Sequence, residues 1–172
     1  LFWKILVRPN WSSWLARGTY LIVVYSGLLA TWITVALLPE VSLGALYEPL
    51  GWITCVFAAL TACYTGWLFA QAKGRVLWMK RGYWAHLIVQ ALVAGAAVLV
   101  IALGLGGSSV ESMEPVAGLL FIALIAHFVC VKMESRMAPA RREAEFRRAV
   151  RLITHGPFRA RHLASIILGV LV

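Results

Sequence analysis

The sequence predicts an all-α fold, a polytopic transmembrane helix bundle with four complete spans and the start of a fifth. Two observations carry this. The first is composition: of 172 residues 62% are hydrophobic and 13% charged, with mean hydropathy +0.83, well outside the ordinary globular mix. The second is the sorting of charge. Lys4, Arg8 and Arg17, then Lys73, Arg75, Lys80 and Arg81, then the run from Lys132 to Arg161, all fall at one set of span ends. The turns at the other ends hold Glu40 and Glu48, then Glu111 and Glu114, with no cation. Short loops resist carrying Lys and Arg across a bilayer, so a multi-pass membrane chain sorts charge in this way.

The elements follow in order. The first span is expected from about Trp14 to Leu38, stopped by Pro39; the second, opened by Pro49, runs to about Ala72. The third begins near Gly82 and fades into Gly104, Gly106 and Gly107, and the fourth starts after Pro115 and ends at Lys132. Each is long enough to cross at ~1.5 Å per residue. Short connections on the acidic side make successive spans antiparallel neighbours. The long connection from Met133 to Pro157 is not read as disordered. Phe146, Val150 and Ile153 recur at i, i+4 and i+7, and Glu143 stands four residues before Arg147. That pattern predicts an amphipathic basic helix at about 139–155, lying on the membrane surface within a single transmembrane domain covering residues 1–172. A fifth span begins after Pro157. With no initiator Met and a C-terminal end inside an apolar run, the sequence is expected to be an internal part of a longer chain.

Net charge is +9 and the pI near 10.1. The cations sit at span ends rather than on a soluble face, so lipid head groups or an acidic partner suit them, and nucleic acid does not. Cys55, Cys63 and Cys130 are scattered through apolar runs. They form no pair spaced for zinc or an iron–sulfur cluster and read as small buried residues.

Polar side chains inside spans are costly, so their positions carry information. Arg17, Tyr20, Gly27, Thr31 and Thr34 share one face of the first span, and Thr61, Tyr64 and Gln71 one stripe of the second. His86 and Gln90 are i and i+4 on the third, and His127 is on the fourth. These stripes are expected to face the bundle interior. Counted from the basic ends, Tyr64, His86, His127 and Arg17 all lie in the nearer half of the membrane. They are expected to form one polar pocket open to lipid, although each has a plain structural reading as an interfacial tyrosine, a backbone-bonded histidine or a snorkelling arginine. Two histidines at like depth are also the minimum for haem b ligation. No proline is expected inside a span, which argues against a transporter built on broken helices.

Local motifs add a resemblance. Tyr64-Thr65-Gly66, followed by a basic loop and Leu77-Trp78, resembles the signature of the NrfD/polysulfide-reductase membrane-subunit family. Arg8-Pro9 with Ser13-Trp14 and Arg17-Gly18, and Ala149 to Gly156-Pro157-Phe158, match further family segments in the same order. Val76 and Met79 depart from the proline and asparagine usual around the Leu-Trp pair, and His86 and Gln90 replace Pro and Ser.

The resemblance implies a multi-pass subunit of a bacterial cytoplasmic membrane that exchanges electrons between menaquinone or ubiquinone and a ferredoxin-like iron–sulfur subunit. That subunit serves a catalytic subunit, often a molybdopterin enzyme. The clusters lie in the partner, and this chain is expected to hold no metal or haem. Tyr64 inherits a quinone-site role. The quinone set is then Tyr64, His86, His127, Arg17 and Gln90, and the partner-docking set Lys73, Arg75, Lys80 and Arg81. A haem b subunit, a transporter and a purely structural anchor stand as alternatives.

Overall fold

The computed structural model describes residues 2–37 and 44–171. In chain order they form α1 (Phe2–Val7), α2 (Trp14–Leu37), α3 (Gly44–Ala70), a 3-10 turn at Val76–Trp78, α4 (Tyr83–Leu105), α5 (Val110–Glu134), α6 (Glu143–Thr154) and α7 (Arg159–Leu171). The fold is all-α, with no strand among the described residues. Helices α2 to α5 have the length and apolarity to cross a membrane. At ~1.5 Å per residue each exceeds the ~30 Å hydrocarbon layer. The expected stop at Leu38, Pro39 and Glu40 lies outside the described residues. The expected fifth span coincides with α7, which has 13 residues.

The spans pack as a row in chain order, α2 on α3, α3 on α4 and α4 on α5, with no extensive contact between α2 and α5 among the described residues. A stacked line of indoles binds the row at its basic end: Trp14 lies 4.8 Å from Trp67, and Trp67 6.1 Å from Trp84. The start of α2, the end of α3 and the start of α4 are therefore level, as the charge sorting requires. Gln71, just beyond α3, accepts the backbone N–H of Trp14 at 3.2 Å and so satisfies one of the orphan donors of α2.

Two expectations about proline are corrected. Helix α3 begins at Gly44 and α5 at Val110, so Pro49 and Pro115 lie inside their helices rather than opening them. Each leaves one carbonyl, four residues back, without its helical partner. Near a helix N-terminus, at the membrane edge, that carbonyl can bond water, so the helix continues through. The absence of proline from the spans therefore no longer counts against a transporter.

The outward stripes are a second correction. Thr31 and Thr34 are exposed and donate to Gly27 O and Ala30 O of their own helix at 2.9 and 2.8 Å. A hydroxyl bonded back to its own turn has no need of a neighbour, so this face of α2 is not drawn inward. Gln90 is likewise exposed.

The predicted amphipathic helix is α6, and its Arg147–Glu143 pair forms at 2.9 Å. Phe146, on its apolar face, rests on the protein itself. Phe146 is 0% exposed, and α6 lies over the Val76–Trp78 turn and against α7. Arg142 fastens the arrangement, donating to Lys73 O and Glu145, while Arg81 N donates to Met137 O at 3.1 Å. The α3–α4 loop and the α5–α6 connection are thus clamped together on the basic side.

Candidate functional site

Two clusters of chemically capable side chains form near the basic end, where one was expected. The first lies between α2 and α3. Tyr64 is half-buried with its ring against Gly18, and a Cβ at Gly18 would overlap that ring. Two residues on, Gly66 brings α3 against the backbone of Trp84, where an added Cβ would stand 2.7 Å from Cα. Thr65 donates to Ala62 O at 2.9 Å. Every residue of the Tyr-Thr-Gly motif therefore has a packing or back-bonding part at a helix contact. The Tyr64 hydroxyl has no hydrogen-bond partner among the described residues.

The second cluster joins α4 and α5. His86 is 6% exposed. Its Nδ1 meets Glu134 Oε1, and its Nε2 lies 3.1 Å from Nδ1 of His127. Lys80 donates to the other oxygen of Glu134. The edge of His86 also meets Tyr83, with ring centroids 6.1 Å apart at 84°, and Lys80 stands 5.5 Å over the Tyr83 ring. The result is an unbroken line, Lys80–Glu134–His86–His127.

Hydrogen positions follow from the acceptor end. A carboxylate can only accept, so His86 carries its hydrogen on Nδ1, and its Nε2 then accepts from Nδ1–H of His127. That leaves Nε2 of His127 as a base, without a partner among the described residues. A line of groups polarised in one direction like this can hand a proton along by successive transfers.

The single expected chamber does not form. On α3, Tyr64 and Trp67 are about 60° apart, whereas Tyr64 and Phe69 are about 140° apart. Trp67 meets Trp14 and Trp84, while Phe69 meets Trp78 and Tyr83. Tyr64 therefore belongs to the Trp67 side and the histidines, reached through Tyr83, to the other. Counting residues from the span ends does not give the face that each side chain takes. Arg17 joins neither cluster: it is exposed, donates to Trp11 O at 2.7 Å and lies 4.8 Å from the Trp14 ring.

The docking set also divides. Lys73, Arg75 and Arg81 are exposed, Arg75 lying 4.1 Å over the Trp78 ring. Lys80 is half-buried and bound to Glu134. Glu134 itself was missed. It had a signal: it is an acid at the basic end of a span, and it stands seven residues after His127, which puts both on one face of α5.

Beneath α6 a cavity of about 300 Å³ opens between α5, α7 and the 3-10 turn. Leu77, Val131 and Phe146 supply much of its apolar wall, and Lys80, Glu134 and Thr154 are among its polar lining.

Comparison with protein families matches the whole of residues 1–172 to the family described as polysulphide reductase, NrfD. No curated protein and no solved structure gives a significant match.

Proposed function

Since this chain belongs to the NrfD polysulphide-reductase family, whose members are membrane subunits of quinone-interacting oxidoreductases, we propose that it exchanges electrons between a membrane quinone and an iron–sulfur partner. The observation that carries the reading is the hydrogen-bonded pair His86–His127, closed at one end by Glu134. Quinol oxidation releases two electrons and two protons. A site for it needs a hydrogen bond to the head group and a group that can take a proton. Two uncommitted groups meet that need, the hydroxyl of Tyr64 and Nε2 of His127, on two sides of α3.

The electrons leave toward a cluster in the partner subunit, which has to stand close to the quinone. Exposed Lys73, Arg75 and Arg81 give the basic end a surface suited to an acidic ferredoxin-like protein, and that protein in turn serves a catalytic subunit. The positive-inside rule assigns this end to the cytoplasmic face of a bacterial inner membrane. The quinone type is left as menaquinone or ubiquinone.

The haem b alternative is disfavoured by the commitments of its candidate ligands. Nδ1 and Nε2 of His86 are both engaged, one with Glu134 and one with His127. An absorption spectrum of the purified protein tests it, since a Soret band lost on His86→Ala would revive that reading.

The test of the main proposal uses the assembled complex. Tyr64→Phe and His127→Phe are compared for quinone-linked turnover, with soluble-dye activity of the catalytic subunit as the control. Loss of quinone turnover with dye activity intact identifies the interface that holds the head group. Full quinone turnover in both variants would remove the quinone role from these residues.

A further inference from the structure

Glu134 sits where the buried line of groups meets the cavity beneath α6. One carboxylate oxygen accepts from His86, the other from Lys80, and the same residue lines the cavity wall. At about 300 Å³ the cavity has room for about ten water molecules at ~30 Å³ each. Ser135, Thr154, Lys132 and His162 supply polar partners for them around an otherwise apolar lining. His127 lies seven residues before Glu134 on α5, so the line spans about 10 Å from the cavity toward the membrane interior.

From these observations we infer that the cavity roofed by α6 is the aqueous mouth of a proton path, and that Glu134 passes protons between it and the His86–His127 pair. This rests on the reading that quinol reacts beside His127. In the oxidative direction a quinol O–H bond breaks and its proton goes to Nε2 of His127. The Nδ1 proton of His127 moves to Nε2 of His86, and the Nδ1 proton of His86 moves to a Glu134 oxygen. Glu134 then releases a proton to cavity water. The electron pair leaves separately, one electron at a time, to the oxidised iron–sulfur cluster of the partner. The first passage leaves both imidazoles protonated on Nε2, so they return to their Nδ1–H tautomers before a second passage carries the second proton. Quinone reduction runs the same line backward.

The groups facing the line are Lys80 from the α3–α4 loop, Tyr83 on α4, and Lys132 and His162 at the cavity wall. Lys80 acts through Glu134, holding its carboxylate toward His86, and is a positioning residue. Helix α6 is the roof. With Phe146 fully buried it stays seated, and Lys80, Lys132 and His162 place the cavity wall at the basic end of the spans. The structure thereby gives the path a side: protons of the quinone couple are exchanged with the compartment that faces the basic loops.

The experiment uses the assembled complex in proteoliposomes, with a short-tail benzoquinol and a pH dye on one face at a time. Glu134→Gln should lower quinol turnover by about 100-fold, the scale of a lost proton-transfer group, while dye-linked activity of the catalytic subunit is unchanged. It should also remove one limb of the pH profile, and Glu134→Asp should restore both. Because Glu134→Gln leaves Lys80 unpaired, the double variant Lys80→Gln/Glu134→Gln is measured beside it and should show the same loss and the same altered profile. Thr154→Trp, which fills the cavity without touching the line, should slow turnover as well. Full turnover with an unaltered pH profile in Glu134→Gln and the double variant overturns the inference, as does proton release at the acidic-loop face or indifference to Thr154→Trp. Failure of the quinone reading is separate: it shows as full quinol turnover in His127→Phe.

Discussion

Gly66→Ala tests the geometry on which both clusters depend. A Cβ at this position would stand 2.7 Å from Trp84 Cα and 2.8 Å from Trp84 N, both backbone atoms that cannot turn aside as a side chain does. Ordinary carbon contacts are ~3.5–4.0 Å, so α3 and α4 would have to part by about 0.8 Å or more at their crossing. Overpacking of this kind costs ~1–3 kcal/mol. Alanine also gains about 1 kcal/mol over glycine in a helix, which partly hides the clash. Gly95→Ala on α4 removes that ambiguity, since nothing lies within 4 Å of its added Cβ. Both substitutions share the propensity gain, so the difference between them, ~1–3 kcal/mol with Gly66→Ala the less stable, isolates the clash. Thermal unfolding in one detergent, followed by tryptophan fluorescence, measures it. The Trp67–Trp84 stack at 6.1 Å should loosen and alter the folded-state emission of Gly66→Ala alone. Equal stability and equal spectra for the two variants would refute a tight α3–α4 crossing at Gly66.

Two other outcomes are expected. Phe146→Ala removes the only side chain of α6 that is fully buried among the described residues, and a buried Phe→Ala change costs ~3–5 kcal/mol. Because α6 is held by one face, that loss should appear as local release, with faster protease cleavage in the 136–157 segment while the membrane-embedded helices stay protected. A topology reporter placed in the Glu111–Glu114 stretch should report the outside of the cell, and cytoplasmic activity there would invert the orientation assigned from charge.

The sorting of Lys and Arg made the spans legible, because a bilayer penalises charge whatever the helices do to one another. The i, i+4, i+7 pattern of Phe146, Val150 and Ile153 likewise revealed α6, since an amphipathic period depends only on the helix itself. What the face of α6 rests on was not legible. Lipid and a protein loop are both apolar, and the same stripe suits either. Helix starts were misplaced at Pro49 and Pro115 because proline early in a helix forfeits one bond and need not end it.

The candidate site divided along similar lines. Counting residues from the basic ends placed Tyr64, His86 and His127 at similar depth, since rise per residue is fixed. It could not say which neighbour each would meet. Gly18 and Gly66 settled that, by letting α2 seat the Tyr64 ring and α4 approach α3, which leaves the histidines to pair across α4 and α5 with Glu134.

By itself the chain's composition established a multi-pass helical membrane protein with one cationic end, because partition into lipid is a property of each segment alone. Only the packed structure joined a loop lysine, a terminal glutamate and two histidines from separate helices into one line. Hydrogen bonds are short and directional, so membership in such a line depends on how helices are turned against each other, and no count along the sequence contains that rotation.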